Sequence, residues 1–95
     1  MKYWYVYVVR CQDGSLYTGI TTNLQRRIVE HNSGPAAAAY TRSRRPVTLV
    51  YQERVLSRSA AAKREAEIKR MEKPDKEDMI SGASGSDQDN YLIYK

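Results

Sequence analysis

The sequence predicts an α+β fold, a three-stranded antiparallel sheet flanked by helices. Two short apolar runs at the start fold back on each other as a hairpin. Two later stretches carry helical spacing with their own start and stop signals, and a third strand-like run lies between them. A chain of 95 residues makes one domain with a thin core, because only about 60–65% of the unfolded surface is buried at this size. That domain is expected over residues 1–80, with a disordered tail over 81–95.

The hairpin comes first. "YWYVYVVRC" is β-branched and aromatic throughout, "QDG" is a turn signal, and "SLYTGI" returns as the second strand. "TNLQRRIVEHNSGP" follows, with Thr22 three residues before Gln25 as a capping box and Gly34-Pro35 as the stop, so a helix is expected over 23–32. Leu24, Ile28 and His31 share one of its faces, and Arg27 lies one turn before His31. "AAAAYTRSRR" reads as a loop, with Arg42, Arg44 and Arg45 around Ser43 and beside Tyr40. The third strand, "PVTLVYQERV", starts at Pro46, where a missing backbone donor does no harm. Ser57 caps a second helix over "RSAAAKREAEIKRME", and "PDKEDMI" gives a short third one. "YLIY" in the Gly/Ser/Asp-rich remainder could pin the terminus to a groove.

Turn chemistry leaves two hairpin registers. A two-residue Asp13-Gly14 turn sends Tyr7 and Tyr17 to opposite faces. A three-residue loop with Gly14 in the left-handed region pairs Cys11 with Ser15 and puts the two tyrosines together. The second register collects Val6, Val8, Leu16 and Ile20 as a core face. It leaves Tyr5, Tyr7, Val9, Tyr17 and Gly19 on the other, with Gly19 bare beside two hydroxyls. The three-residue loop is therefore expected.

On the second helix, Glu65 falls between Ala61, Ala62 and Ile68, on the stripe that should meet the sheet. Carboxylates are seldom buried unpaired. Glu65 either takes a nearby Lys or Arg as partner, or projects into a cleft and holds a cation; one carboxylate with several waters is a common Mg²⁺ arrangement.

Composition narrows the setting. One cysteine, Cys11, excludes an internal disulfide, and one histidine with no second His or Cys nearby excludes a structural zinc site. The opening apolar run meets Arg10 too soon to be a signal peptide or membrane span, so a cytoplasmic protein with no membrane contact is expected. Residues 1–72 hold thirteen Lys/Arg against six Asp/Glu, while 73–95 hold three against five. A basic domain of this kind suits a polyanionic partner, although a solvated basic face gives the same balance.

"YVY", then "YTG", then "RR" and "EHN" on the first helix, the Arg-rich loop, and "REAEIKR" on the second helix resemble the GIY-YIG nuclease superfamily. More narrowly, "YTGITTNLQRRIVEHNSG" and "YTRSRRPVTLVY" resemble its small stand-alone bacterial members, over Tyr3 to Ile80. The resemblance implies cleavage of DNA phosphodiesters with one divalent metal ion, Mg²⁺ or Mn²⁺. By position it makes Tyr7 and Tyr17 the motif tyrosines, Gly19 the motif glycine, Arg27 the phosphate-facing arginine, His31 an auxiliary polar residue and Glu65 the metal ligand. Tyr5 stands where the first motif has glycine, and the asparagine that some members carry after the metal glutamate has no counterpart here.

The expected function is a metal-dependent DNA endonuclease or nickase acting on repair or recombination intermediates, with Tyr40, Arg42, Arg44 and Arg45 on the nucleic acid. The alternative is a binding module of the same fold without turnover. A tyrosine serving as general base would need its pKa lowered from about 10 by a neighbouring cation or metal; otherwise it only orients water, and the sequence does not say which tyrosine acts.

Overall fold

The computed structural model describes residues 2–86. Its elements are β1 (Trp4–Arg10), β2 (Leu16–Thr21), α1 (Leu24–Asn32), α2 (Ala39–Arg42), β3 (Thr48–Val55), α3 (Arg58–Lys69) and α4 (Lys73–Ser86). The strands form one antiparallel sheet in the order β2-β1-β3, so β1 is central and the other two are edges. This is the expected α+β architecture. No helix among the described residues is long and apolar enough to cross a membrane.

The hairpin takes the three-residue loop. Cys11 N donates to Ser15 O at 2.8 Å and Gly14 N to Cys11 O at 2.9 Å, with Gly14 at φ +86°. Asp13 Oδ1 braces the loop by accepting from Ser15 N at 3.0 Å and Ser15 Oγ at 2.6 Å. Tyr7 therefore lies opposite Gly19 and Val9 opposite Tyr17.

Helices cover both faces of the sheet. Val6 and Val8 form one buried cluster with Ala61 and Ile68 of α3 and Ile80 of α4. Tyr7, Val9, Cys11 and Val47 form another, against which Tyr17 and the α1 residues Leu24 and Ile28 pack. A bulge in β3 makes this two-sided use possible: Val8 pairs with Tyr51 but Val9 pairs with Leu49. The extra residue, Val50, reverses the alternation. Leu49 then faces α1, while Tyr51 and Val55 face α3.

Three expectations need correction. The N-cap of α1 is Asn23, not Thr22: Asn23 Oδ1 accepts from Arg26 N at 3.0 Å, a role in which Asn outranks Thr. The expected Arg-rich loop contains the short helix α2, whose Arg42 N reaches Ala38 O at 3.0 Å. The last helix runs on to Ser86, so residues 81–86 are helical where a tail was expected. The rest of that expected tail, with "YLIY", lies outside the described residues.

Polar clamps set the position of α1. Asn32 Oδ1 accepts from Val47 N at 2.7 Å and Asn32 Nδ2 donates to Val47 O at 3.0 Å, like one extra rung of backbone pairing. Arg45 donates to the carbonyls of Glu30, His31 and Gly34, satisfying groups the helix end leaves open. Because Val47 is buried, Asn32→Ala strands two backbone groups. It should lower unfolding free energy by about 1–3 kcal/mol in urea titration.

Candidate active site

Tyr7 is 1% exposed, and its ring lies across the neighbouring strand at Gly19. A Cβ at position 19 would sit 2.5 Å from the Tyr7 oxygen and 2.7 Å from Cζ. The absent side chain is thus the space that the Tyr7 hydroxyl occupies. The sequence left Gly19 bare for a ligand or a backbone to approach; a side chain of the same chain fills that place.

From there a polar chain runs inward. Tyr7 Oη and His31 Nε2 are 2.7 Å apart, and His31 Nδ1 and Thr41 Oγ1 are also 2.7 Å apart. Thr41 Oγ1 donates its only proton to Ala38 O at 3.1 Å. It must therefore accept from His31 Nδ1–H, which leaves Nε2 to accept from Tyr7. Burial, with help from the Arg27 and Arg45 charges, holds the His31 pKa down at about 4, so the ring is neutral at pH 7. Burial likewise pushes the Tyr7 hydroxyl up to about 12. Tyr7 is therefore a neutral phenol at pH 7.

Around this chain the other candidates gather. The Tyr17 ring meets His31 edge-on at 5.5 Å and stacks on Tyr40 at 6.0 Å, and the Arg44 guanidinium lies 3.9 Å over Tyr40. Tyr17 is half-buried, and its hydroxyl has no hydrogen-bond partner among the described residues. Arg27 lies beside Tyr7, and its Nη1 donates to Glu30 Oε1 at 2.9 Å and to Ala36 O at 2.8 Å.

Glu65 comes from the opposite layer. It sits on the α3 stripe between buried Ala61 and Ile68, 22% exposed, with the exposed Lys69 Nζ 3.3 Å away. Arg64, the other possible partner, instead binds Glu53 at 2.9 Å and Glu67 at 3.2 Å. The charges of Arg27 and Glu65 act on the Tyr7 hydroxyl, Arg27 lowering its pKa and Glu65 raising it. No group of three or more His, Cys, Asp or Glu that could hold a metal gathers among the described residues. A single carboxylate near the surface fits a hard cation such as Mg²⁺, which keeps several waters and takes substrate oxygens.

The basic loop is divided. Arg42 is exposed, with one contact to Ala37 O at 3.3 Å. Arg44 is pinned to Tyr40 O at 2.8 Å and to Asp13 at 3.2 Å, and Arg45 is spent on the end of α1. Of the three arginines expected to meet nucleic acid, Arg44 and Arg45 are thus held by contacts within the protein. Thr41, Glu30 and Asn32 were not singled out in the sequence. Only the "EHN" run around His31 hinted at two of them.

Known proteins resemble this chain in sequence and in fold. Residues 3–78 match the family model described as the GIY-YIG catalytic domain. A UPF0213 protein of Desulfotalea psychrophila is 55% identical over 84% of this chain and 73% of its own. One from Natronomonas pharaonis is 51% identical over 85% and 94%. Among solved structures, the solution NMR structure of a UPF0213 protein from Bacillus halodurans is 40% identical, covers 95% of this chain and 94% of that one, and superposes with a TM-score of 0.57.

The buried neutral histidine makes stability depend on pH. Below pH 6.5 the unfolded chain binds a proton that folded His31 refuses until about pH 4. Its contribution is constant above pH 6.5 and declines by about 3 kcal/mol as pH falls to 4. Urea titrations across this range should show a shallower decline in His31→Gln than in the wild type.

Proposed function

The chain belongs to the GIY-YIG catalytic-domain family, and on that premise we propose that it is a metal-dependent DNA endonuclease or nickase that hydrolyses phosphodiesters in repair or recombination intermediates of the cytoplasm. One observation carries this reading: the Tyr7 hydroxyl packs over Gly19 and meets His31 of α1, with Tyr17 against the same imidazole and Arg27 one turn before it. These groups come from β1, β2 and α1, and β2 is an edge strand of the sheet.

Exposure separates the two tyrosines. Tyr7, buried and donating to His31, is the positioning residue; Tyr17, half-buried with an uncommitted hydroxyl, meets the attacking water and orients it. Arg27 presents a planar fork to the phosphate oxygens and offsets the charge that builds on them. Glu65 is the residue to hold Mg²⁺ or Mn²⁺, which when bound supplies a Lewis acid for the scissile phosphate. His31 keeps Tyr7 over Gly19, and Thr41 keeps His31 in the tautomer that accepts from Tyr7. Tyr40 and Arg42 are the loop residues left to meet the DNA backbone.

A binding module without turnover is the second reading. The observation that favours it is Arg27, whose Nη1 is already engaged by Glu30 and Ala36, so a phosphate must compete for that arm.

Nicking of flap, junction and linear DNA in Mg²⁺, Mn²⁺ or EDTA distinguishes the two. Tyr17→Phe and Glu65→Gln should each cut roughly 10²-fold slower or worse, while DNA binding persists. The Glu65–Lys69 pair spans one helical turn and its lysine end is 53% exposed, so Glu65→Gln should change stability by about 0.5 kcal/mol or less. No cleavage by the wild type in either metal, with binding retained, would favour the module.

The loop arginines should part company. Arg42→Ala should flatten log affinity against log salt by about 0.9 without loss of stability. Arg45→Ala should instead lower stability by about 1–3 kcal/mol, since it leaves the end of α1 uncapped.

A further inference from the structure

Beyond the roof formed by α1, the same sheet face continues along β1. Side chains alternate, so Tyr5 and Tyr7 stand on one face of β1 about 6.8 Å apart, and Tyr3 lies just before the strand. Tyr7 belongs to the buried cluster, but among the described residues Tyr3 and Tyr5 pack against neither core. Tyr5 lies between Thr21 of β2 and Arg54 of β3. Arg54 is exposed, and its guanidinium lies 4.3 Å over the Tyr3 ring. Gln52, opposite Tyr7, is exposed as well, and Leu56, just after β3, is 71% exposed.

Resting on the nuclease reading above, we propose that Tyr3, Tyr5 and Arg54 form a stacking platform for unpaired bases, so that the DNA cut here is single-stranded next to the scissile bond, as in a flap, gap or frayed end. Two half-buried rings outside either core are costly to leave in water and poorly suited to packing alone. Flat aromatic faces beside an exposed arginine suit a base and its phosphate together. In a continuous duplex the base faces are covered by their neighbours, so only an unpaired base can use such rings. Position supplies the link to chemistry. A strand lying on Tyr5 is one step along that face from Tyr7 and Gly19, and its backbone then runs toward Arg27 and Tyr17. The positive charge of Arg54 also favours DNA over an apolar occupant.

Fluorescence anisotropy with a labelled oligothymidine, a flap duplex and a blunt duplex at one salt concentration tests the platform. The wild type should bind the oligothymidine and the flap more tightly than the blunt duplex. Tyr5→Leu should weaken binding to both by roughly 5- to 150-fold, the loss of one stacked base. Its affinity for the blunt duplex should not change, and Tyr5→Phe, which keeps the ring, should bind as the wild type does. Arg54→Gln, on an exposed edge, should weaken the same two ligands without lowering the unfolding temperature. In cleavage of the flap, Tyr5→Leu should raise KM and leave kcat near its original value. Wild-type affinity for the flap no greater than for the blunt duplex would overturn the platform, as would a Tyr5→Leu variant that binds normally. In either case the nuclease reading would stand if both DNAs are cut. A wild-type dimer that Tyr5→Leu makes monomeric in sedimentation would assign the strip to a second copy and overturn it too. Failure of the wild type to bind or cut any DNA would remove both readings together.

Discussion

The packing of Tyr7 across Gly19 organises this small protein. A side chain at position 19 would collide with the Tyr7 ring, and a different hairpin register would not bring the two opposite each other. Once the ring is in place its hydroxyl needs a partner out of water, which His31 supplies from α1, and His31 in turn needs Thr41 from α2. Every member has a fixed donor or acceptor role, so the chain sets the spacing of sheet and helices as closely as apolar contacts do elsewhere. In such a network an unsatisfied group costs more than a satisfied one contributes, which holds the arrangement to one geometry.

The two helical layers are attached by different chemistry. On the α3/α4 side, valines, Ala61, Ile68 and Ile80 form the larger apolar cluster. Ion pairs edge it: Arg10 grips Glu77 through two 2.7 Å contacts, and Arg64 links Glu53 to Glu67. On the other side, Asn32, Arg45 and the His31 chain join the helices to the sheet. The candidate site draws on both layers. Tyr17 and Arg27 belong to the polar side, while Glu65 rises from the apolar side toward the same edge. The Glu65 carboxylate is tolerated on an apolar stripe because it lies at the border of the core, where Lys69 and water reach it.

Much of this was legible in the residues. Alternation and the Asp13-Gly14 turn were enough for the hairpin register, because only one pairing sorts Val6, Val8, Leu16 and Ile20 to one face. Helical spacing was enough for the faces carrying His31 and Glu65. Other features were out of reach for identifiable reasons. Thr41 is a small polar residue in a run without periodicity, and only the fold brings it ten positions back to His31. Arg45 reads as a surface cation until the end of α1 is seen beneath it. The β3 bulge leaves no mark in a run of strand-forming residues, yet it decides which side Leu49 joins. Thr22 and Asn23 are both good caps, and a one-residue difference in helix start is beyond what their side chains signal.

Within α1 and α2 the only fully buried side chains are His31 and Thr41, both polar. Lifting this layer from the sheet would break their hydrogen bonds and also uncover the apolar cluster of Tyr7, Val9, Cys11 and Val47 on which Leu24 and Ile28 pack. Denaturants act in proportion to newly exposed surface, so such an opening has an m-value and a heat-capacity change below those of global unfolding by the share that α3 and α4 keep covered. The layer that carries Arg27 and His31 is thus tied to the sheet by hydrogen bonds and apolar packing together, so weakening either one loosens the site's helices from its strands.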